Sequence, residues 1–121
     1  MGAASDDGLV EELRPGLILL HSPEHLDGPA VVALLGRVDE VAVAMEQFTL
    51  VAVVESLHFP DYEVRHAARD WFSARSDRLA ALHIVMGNNV LIRTAAKFVM
   101  RGLPVPVHHS NSLDEALAAL A

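Results

Sequence analysis

Three aliphatic runs constrain this chain more than any other feature: LILL at Leu17 to Leu20, FTLVAVVES at Phe48 to Ser56, and LAALHIVM at Leu79 to Met86. They lack a regular polar–apolar alternation, so they do not suit a sheet with one wet face. They suit strands covered on both faces, the usual state of a parallel sheet. The segments between them carry helical spacing instead. Val31, Leu34, Leu35, Val38, Ala42 and Met45 recur on one helical face, with Asp27 placed to cap the helix and Pro29 in its first turn. Gly36 weakens this helix by about 1 kcal/mol relative to Ala, and a competing reading makes AVVALLG a strand and GRVD a turn. Val64, Ala67, Ala68 and Trp71 follow i, i+3, i+4, i+7 spacing, which predicts a helix from Asp61 to about Arg75 packing through Trp71. After Gly87-Asn88-Asn89 a further helix is predicted, with Leu91, Ala95, Phe98 and Val99 facing inward.

The remaining elements follow from turn and cap chemistry. Leu9 to His21 reads as a hairpin, because Pro15 and Gly16 suit the two central positions of a type II turn. Leu103 to His109, LPVPVHH, is extended, and its two prolines confine it to a sheet edge. Ser112 and Glu115 form a capping box for a closing helix. Strand and helix therefore alternate, which predicts one α/β domain: a mostly parallel sheet of four to five strands, right-handed crossovers and helices packed on it. A length of 121 residues suits a single core. Residues 9–121 are assigned to that domain and residues 1–8 to a flexible lead.

Composition removes several function classes. With 52% apolar and 21% charged residues the chain is globular in type. A formal charge of −7 repels phosphates, so nucleic acid is not an expected partner. The absence of cysteine excludes disulfides, thiolate nucleophiles and Cys-based metal sites. MGAASDDG has no basic region followed by an apolar core, and no run reaches the roughly 18 apolar residues of a membrane span. A cytoplasmic location is the resulting expectation.

The histidines and serines offer little catalytic chemistry. His21 and His25, with Glu24 between them, have i, i+4 spacing, but Ser22-Pro23 breaks the helix that would give that spacing meaning. His108 and His109 are neighbours on a predicted strand and point to opposite faces. His58, His66 and His83 read as ordinary polar residues of a loop, a helix and a strand. No nucleophile elbow, phosphate loop or dinucleotide fingerprint is present, so neither a metal nor a cofactor is expected. Ser56 and His58 could share a strand face as a dyad, which keeps a cryptic hydrolase among the readings.

The stretch VVESLHFPDYEV, Val53 to Val64, is similar to the strand-to-helix junction of the STAS family, the anti-sigma-factor antagonist-like domains. There an aliphatic strand leads through a short loop and an apolar residue to Asp-Ser-Ser or Asp-Ser-Gly at a helix start. Phe59 and Asp61 occupy the matching positions here. The order of elements from Leu17 to Ala121 also resembles the STAS-like branch related to the CRAL-TRIO lipid-binding domains, including DRLAALHIVMGNNVLIRTAAKFV and the closing EALAAL. The resemblance implies a regulatory module, bacterial in type, switched in some members by phosphorylation of the Ser after the Asp. Tyr62 and Glu63 stand at that place, so a Ser-directed kinase finds no serine hydroxyl there, and Asp61 is left as a helix cap. Asp61, Tyr62 and Glu63 are thus a switch-like site that is either locked or lost; they also simply begin a helix well.

Arg93, Lys97 and Arg101 repeat at i, i+4, i+8, a basic stripe in an acidic chain. It serves either as a solvated face or as a docking site for an acidic protein or an anionic group, the latter held jointly with the backbone after Asn88 and Asn89. His58 and Phe59 are expected beside that loop, because ligands gather at the carboxyl ends of strands in open α/β sheets. The leading reading is a non-catalytic protein-interaction module. The alternatives are a module for a lipid or small anionic ligand and the hydrolase; a homodimer is compatible with each.

Overall fold

The computed structural model describes residues 9–22, 27–54, 62–87, 90, 91, 93, 94, 97 and 101–120. Their elements, in chain order, are β1 (Leu9–Arg14), β2 (Leu17–His21), α1 (Gly28–Val41), β3 (Phe48–Val53), α2 (Tyr62–Ala74), β4 (Leu79–Val85), β5 (Val107–Ser110) and α3 (Leu113–Ala119). Val90, Leu91, Arg93, Thr94 and Lys97, between β4 and β5, are also helical. The five strands form one sheet in the order β1-β2-β3-β4-β5. β1 is antiparallel to β2, and every other pairing is parallel. This is a single α/β domain of the predicted class.

β2, β3 and β4 each carry side chains to two cores. Ile18, Leu20, Leu50, Ala52, Leu82 and Ile84 pack beneath α1 and α2, against Leu34, Val38, Trp71 and Phe72. Leu17, Leu19, Val51, Val53 and Val85 pack on the other face against Ala116 of α3, with Leu113, Leu117 and Leu120 around it. That two-sided burial is why the aliphatic runs do not alternate. The first core takes two long amphipathic helices, whereas the second rests on one short helix whose single fully buried residue is Ala116.

Local signals set most element boundaries. Gly16 adopts φ +82° beside Pro15, as the third residue of a type II turn must, and its carbonyl accepts a 2.8 Å bond from Thr49 N–H that anchors the hairpin to β3. Asp27 caps α1 by accepting from Ala30 N–H at 2.8 Å. The segment from residue 28 to 41 is a helix, so the strand alternative for AVVALLG is not realised. A Cβ built on Gly36 would meet nothing within 4 Å. Gly36→Ala is therefore expected to raise the unfolding free energy by about 0.5 to 1 kcal/mol, read from denaturant midpoints at unchanged slope. Ser112 accepts from Glu115 N–H at 3.1 Å, while the Glu115 carboxylate takes the Asn111 N–H at 3.4 Å, one residue earlier than a standard capping box places it.

Two expectations need correction. The last strand runs Val107–Ser110 rather than starting near Leu103, because Pro104 and Pro106 have no N–H to give the ladder; Pro106 contributes only its carbonyl, which accepts from Leu82 N–H at 2.9 Å. Leu91 does not face inward: it is 70% exposed, beside Val90 at 73%. The exposed side of this helical stretch passes through Val90, Thr94 and Lys97, and Leu91 falls on its margin in the first turn. Ala95, Phe98 and Val99 lie outside the described residues.

The amino end of the sheet is tied down by two arginines. Arg75 grips Asp39 with both carboxylate oxygens engaged, at 2.5 and 2.6 Å, while Trp71 Nε1–H donates to the same carboxylate at 3.2 Å. The Arg75 guanidinium also lies over the Trp71 ring, 4.6 Å from its centroid. Arg78 donates to the Ala42 and Met45 carbonyls at 2.6 and 2.9 Å, satisfying groups that the end of α1 leaves open. α1 and α2 are thus braced at one end, and their first turns form a surface at the other.

Candidate functional site

β2 to β5 are parallel, so the helical segments that follow β2, β3 and β4 all begin at the carboxyl end of the sheet. The strand ends there are closed by a row of backbone bonds: Ser22 N–H to Val53 O at 3.0 Å, Val54 N–H to Val85 O at 2.9 Å, and Met86 N–H to Ser110 O at 3.1 Å. Gly87, at φ +66°, turns the chain out of β4, a conformation that an L side chain adopts only with strain.

Glu63 lies across the start of α1. A Cβ on the buried Gly28 would sit 2.8 Å from Glu63 Oε2 and 3.3 Å from Glu63 Cβ, so a larger residue here would make the exposed Glu63 side chain shift. The carboxylate therefore rests against the first turn of α1 as well as in its own first turn on α2, two places where a helix dipole favours negative charge. Tyr62, the preceding residue, is 68% exposed and stacks on His66, with centroids 5.6 Å apart and planes 11° from parallel. His66 Nε2 stands 3.3 Å from Asp70 Oδ2, extending the row along the outer face of α2.

Tyr62, Val32 and the pair Val90 and Leu91 share one property: each is a large apolar or aromatic side chain at least 60% exposed near the start of a helical segment. They are four of the six exposed large hydrophobic residues described, the others being Leu13 and Val43. Topology thus collects most of the described exposed large apolar side chains at the carboxyl end of the sheet. Tyr62, His66 and Asp70 form a row at i, i+4, i+8 within one helix, a row the sequence reading did not single out; the collection of Val32, Tyr62, Val90 and Leu91 needs the strand order.

Of the predicted basic stripe, Lys97 and Arg101 are exposed and Arg93 is half-exposed. The Arg101 carbonyl accepts from Arg69 at 3.3 Å. Arg93 and Lys97 come together with a residue that sequence spacing did not join to them: partial burial lowers the His109 pKa first, and then the charges of Lys97, Arg93 and His108 lower it further. Among the other predicted site residues, His58, Phe59, Asp61, Asn88 and Asn89 lie outside the described residues, as do Glu24, His25 and Ser56. His21 is half-buried at the end of β2. Among the described residues no three His, Asp or Glu side chains gather as a metal site, and no helix is long and apolar enough to cross a membrane.

His108 and His109 take opposite faces of β5, as strand geometry requires. On the α3 face His108 stacks on His83, the cross-strand partner in register, with centroids 4.7 Å apart and planes 26° from parallel. His83 is 6% exposed and its Nδ1 has no hydrogen-bond partner. Burial, and then His108, lower its pKa from the ordinary 6.5. The unfolded chain therefore binds more protons than the folded one just below pH 6.5, and stability falls as pH drops through that window. His109 acts in the same direction. His83→Phe keeps a ring on His108 and removes the buried titration. Denaturant melts at pH 7.5 and 5.5 should show a smaller loss for this variant than for the parent; an equal loss would place the sensitivity elsewhere.

Comparison of the chain with family models, with curated proteins and with solved structures gave no match.

Proposed function

We propose that this chain is a non-catalytic protein-interaction module of STAS type, and that its docking surface is the carboxyl end of the sheet. The observation that carries the reading is the collection of Val32, Tyr62, Val90 and Leu91 at that end. Scattered exposed apolar residues are ordinary, whereas a group of them rimmed by charge is typical of a surface that meets a partner. Glu63, exposed beside Tyr62, supplies the charge and stands where a phosphorylatable serine would otherwise put one. On this reading the interaction is constitutive, since a glutamate carries its charge without a kinase. Tyr62 is the expected anchor, because a tyrosine offers a large amphipathic ring at low entropic cost.

The test compares tagged parent protein, a rim variant carrying Tyr62→Ser, Val90→Ser and Leu91→Ser, and a Val43→Ser control, each purified from the native host and read by mass spectrometry. Exposed substitutions rarely move stability by more than about 0.5 kcal/mol, so all three should fold. One protein should accompany the parent and the control and fall about tenfold or more with the rim variant, a loss of about 1.4 kcal/mol. Equal recovery with all three overturns the reading.

A further inference from the structure

A second surface lies at the β5 edge, and it does not rest on the rim. β5 is the last strand of the sheet. Leu82 N–H bonds to Pro106 O and Met86 N–H to Ser110 O, at 2.9 and 3.1 Å. In a parallel ladder alternate residues address the same neighbour. Residues 106, 108 and 110 therefore face β4, and Val107 and His109 turn their N–H and C=O groups outward. Such a row is a template for another extended chain.

Charge surrounds this edge unevenly. Arg93 and Lys97 stand close enough to His109 for both charges to act on its ring, and His108 is exposed on the opposite face of the same strand. Neither the His66–Asp70 nor the Arg75–Asp39 ion pair involves Arg93 or Lys97. In a chain of net charge −7 this edge is a local exception, and an acidic segment repelled elsewhere is attracted here. Two β5 edges would set like charges against each other, which argues against pairing of this edge with itself.

We propose that the outer edge of β5 accepts an acidic, extended segment of a partner protein by strand addition, with Val107 and His109 supplying the main-chain bonds and Arg93, Lys97 and His109 reading its carboxylates. Main-chain pairing gives such a contact its affinity, and side chains at alternate positions give it specificity.

The test uses the whole chain and three short blocked peptides: one alternating Thr and Glu, the same peptide with alternate amides N-methylated, and one alternating Thr and Lys. Amide shifts are followed by NMR, and affinities are measured at low and at high salt. The Thr-Glu peptide should move amides centred on Val107 to Ser110 and bind more weakly at high salt. N-methylation should weaken it about tenfold or more, since it removes strand bonds and keeps the charge. The Thr-Lys peptide should not bind, and the double variant Arg93→Gln, Lys97→Gln should lose most of the affinity while melting as the parent does. The proposal is overturned if N-methylation changes nothing, if equimolar inorganic phosphate displaces the peptide, if the shifts centre elsewhere, or if no shift appears at millimolar peptide. It is equally overturned if the chain alone forms larger species that Glu11→Gln, Glu12→Gln disperses, because the acidic β1 edge of a second copy would then be the occupant.

Discussion

Leu50→Ala is expected to cost about 2 to 5 kcal/mol and to be the most damaging of the substitutions considered. Leu50 is 1% exposed in β3, the middle strand of five, beneath α1 and α2. Removing three carbons there leaves a cavity that strands on both sides prevent from collapsing. Against a typical total of 5 to 15 kcal/mol, about a third of the stability would be lost. Leu117→Ala, within α3 on the sheet's other face and only half-buried, should cost about 1 to 2 kcal/mol. Denaturant unfolding of both variants checks the ranking, and a larger cost for Leu117 would mean that the thin face carries more of the fold than its burial indicates.

The second large effect concerns the brace. Asp39→Ala should cost about 1 to 3 kcal/mol, since it leaves the Arg75 guanidinium and the Trp71 N–H without their shared acceptor. The Asp39 and Arg75 side chains retain 36% and 24% of their exposure, which places the value below that of a fully buried pair. Asp39→Asn keeps an oxygen for one donor and should cost less. The double variant Asp39→Ala, Arg75→Ala should be more stable than the sum of the single losses predicts, because it strands no charge. Additivity within about 0.3 kcal/mol would show the two residues to be uncoupled.

The elements declared by short-range chemistry were readable from the chain itself. Pro15-Gly16 specified a turn, Asp27 a cap, Ser112 a second cap, and the unbroken aliphatic runs a sheet covered on both faces. Spacing could not supply contacts made by register and strand order. Asp39 is on α1 and Arg75 follows the end of α2, and nothing within either segment marks the pair. His83 and His108 stack because β4 and β5 run in parallel with those residues opposite each other. Gly28 meets Glu63 across two helices, a contact that spacing within either one does not show. Leu91 was misassigned for a related reason: a first turn at the end of a sheet can carry a leucine with no strand beneath it, and apolar periodicity does not report that.

The same topology that hid these contacts brings Val32, Tyr62, Val90 and Leu91 to one end of the molecule, and the assignment of that end as a docking surface is what the function rests on. Hydrogen–deuterium exchange of the free chain and of its co-purified complex tests this most directly. Protection in the complex should concentrate in the first turns of α1 and α2 and around Val90 and Leu91, with little change near Val43 and Ala74 at the braced end. Protection confined to the braced end, or none at the carboxyl end, would contradict the assignment.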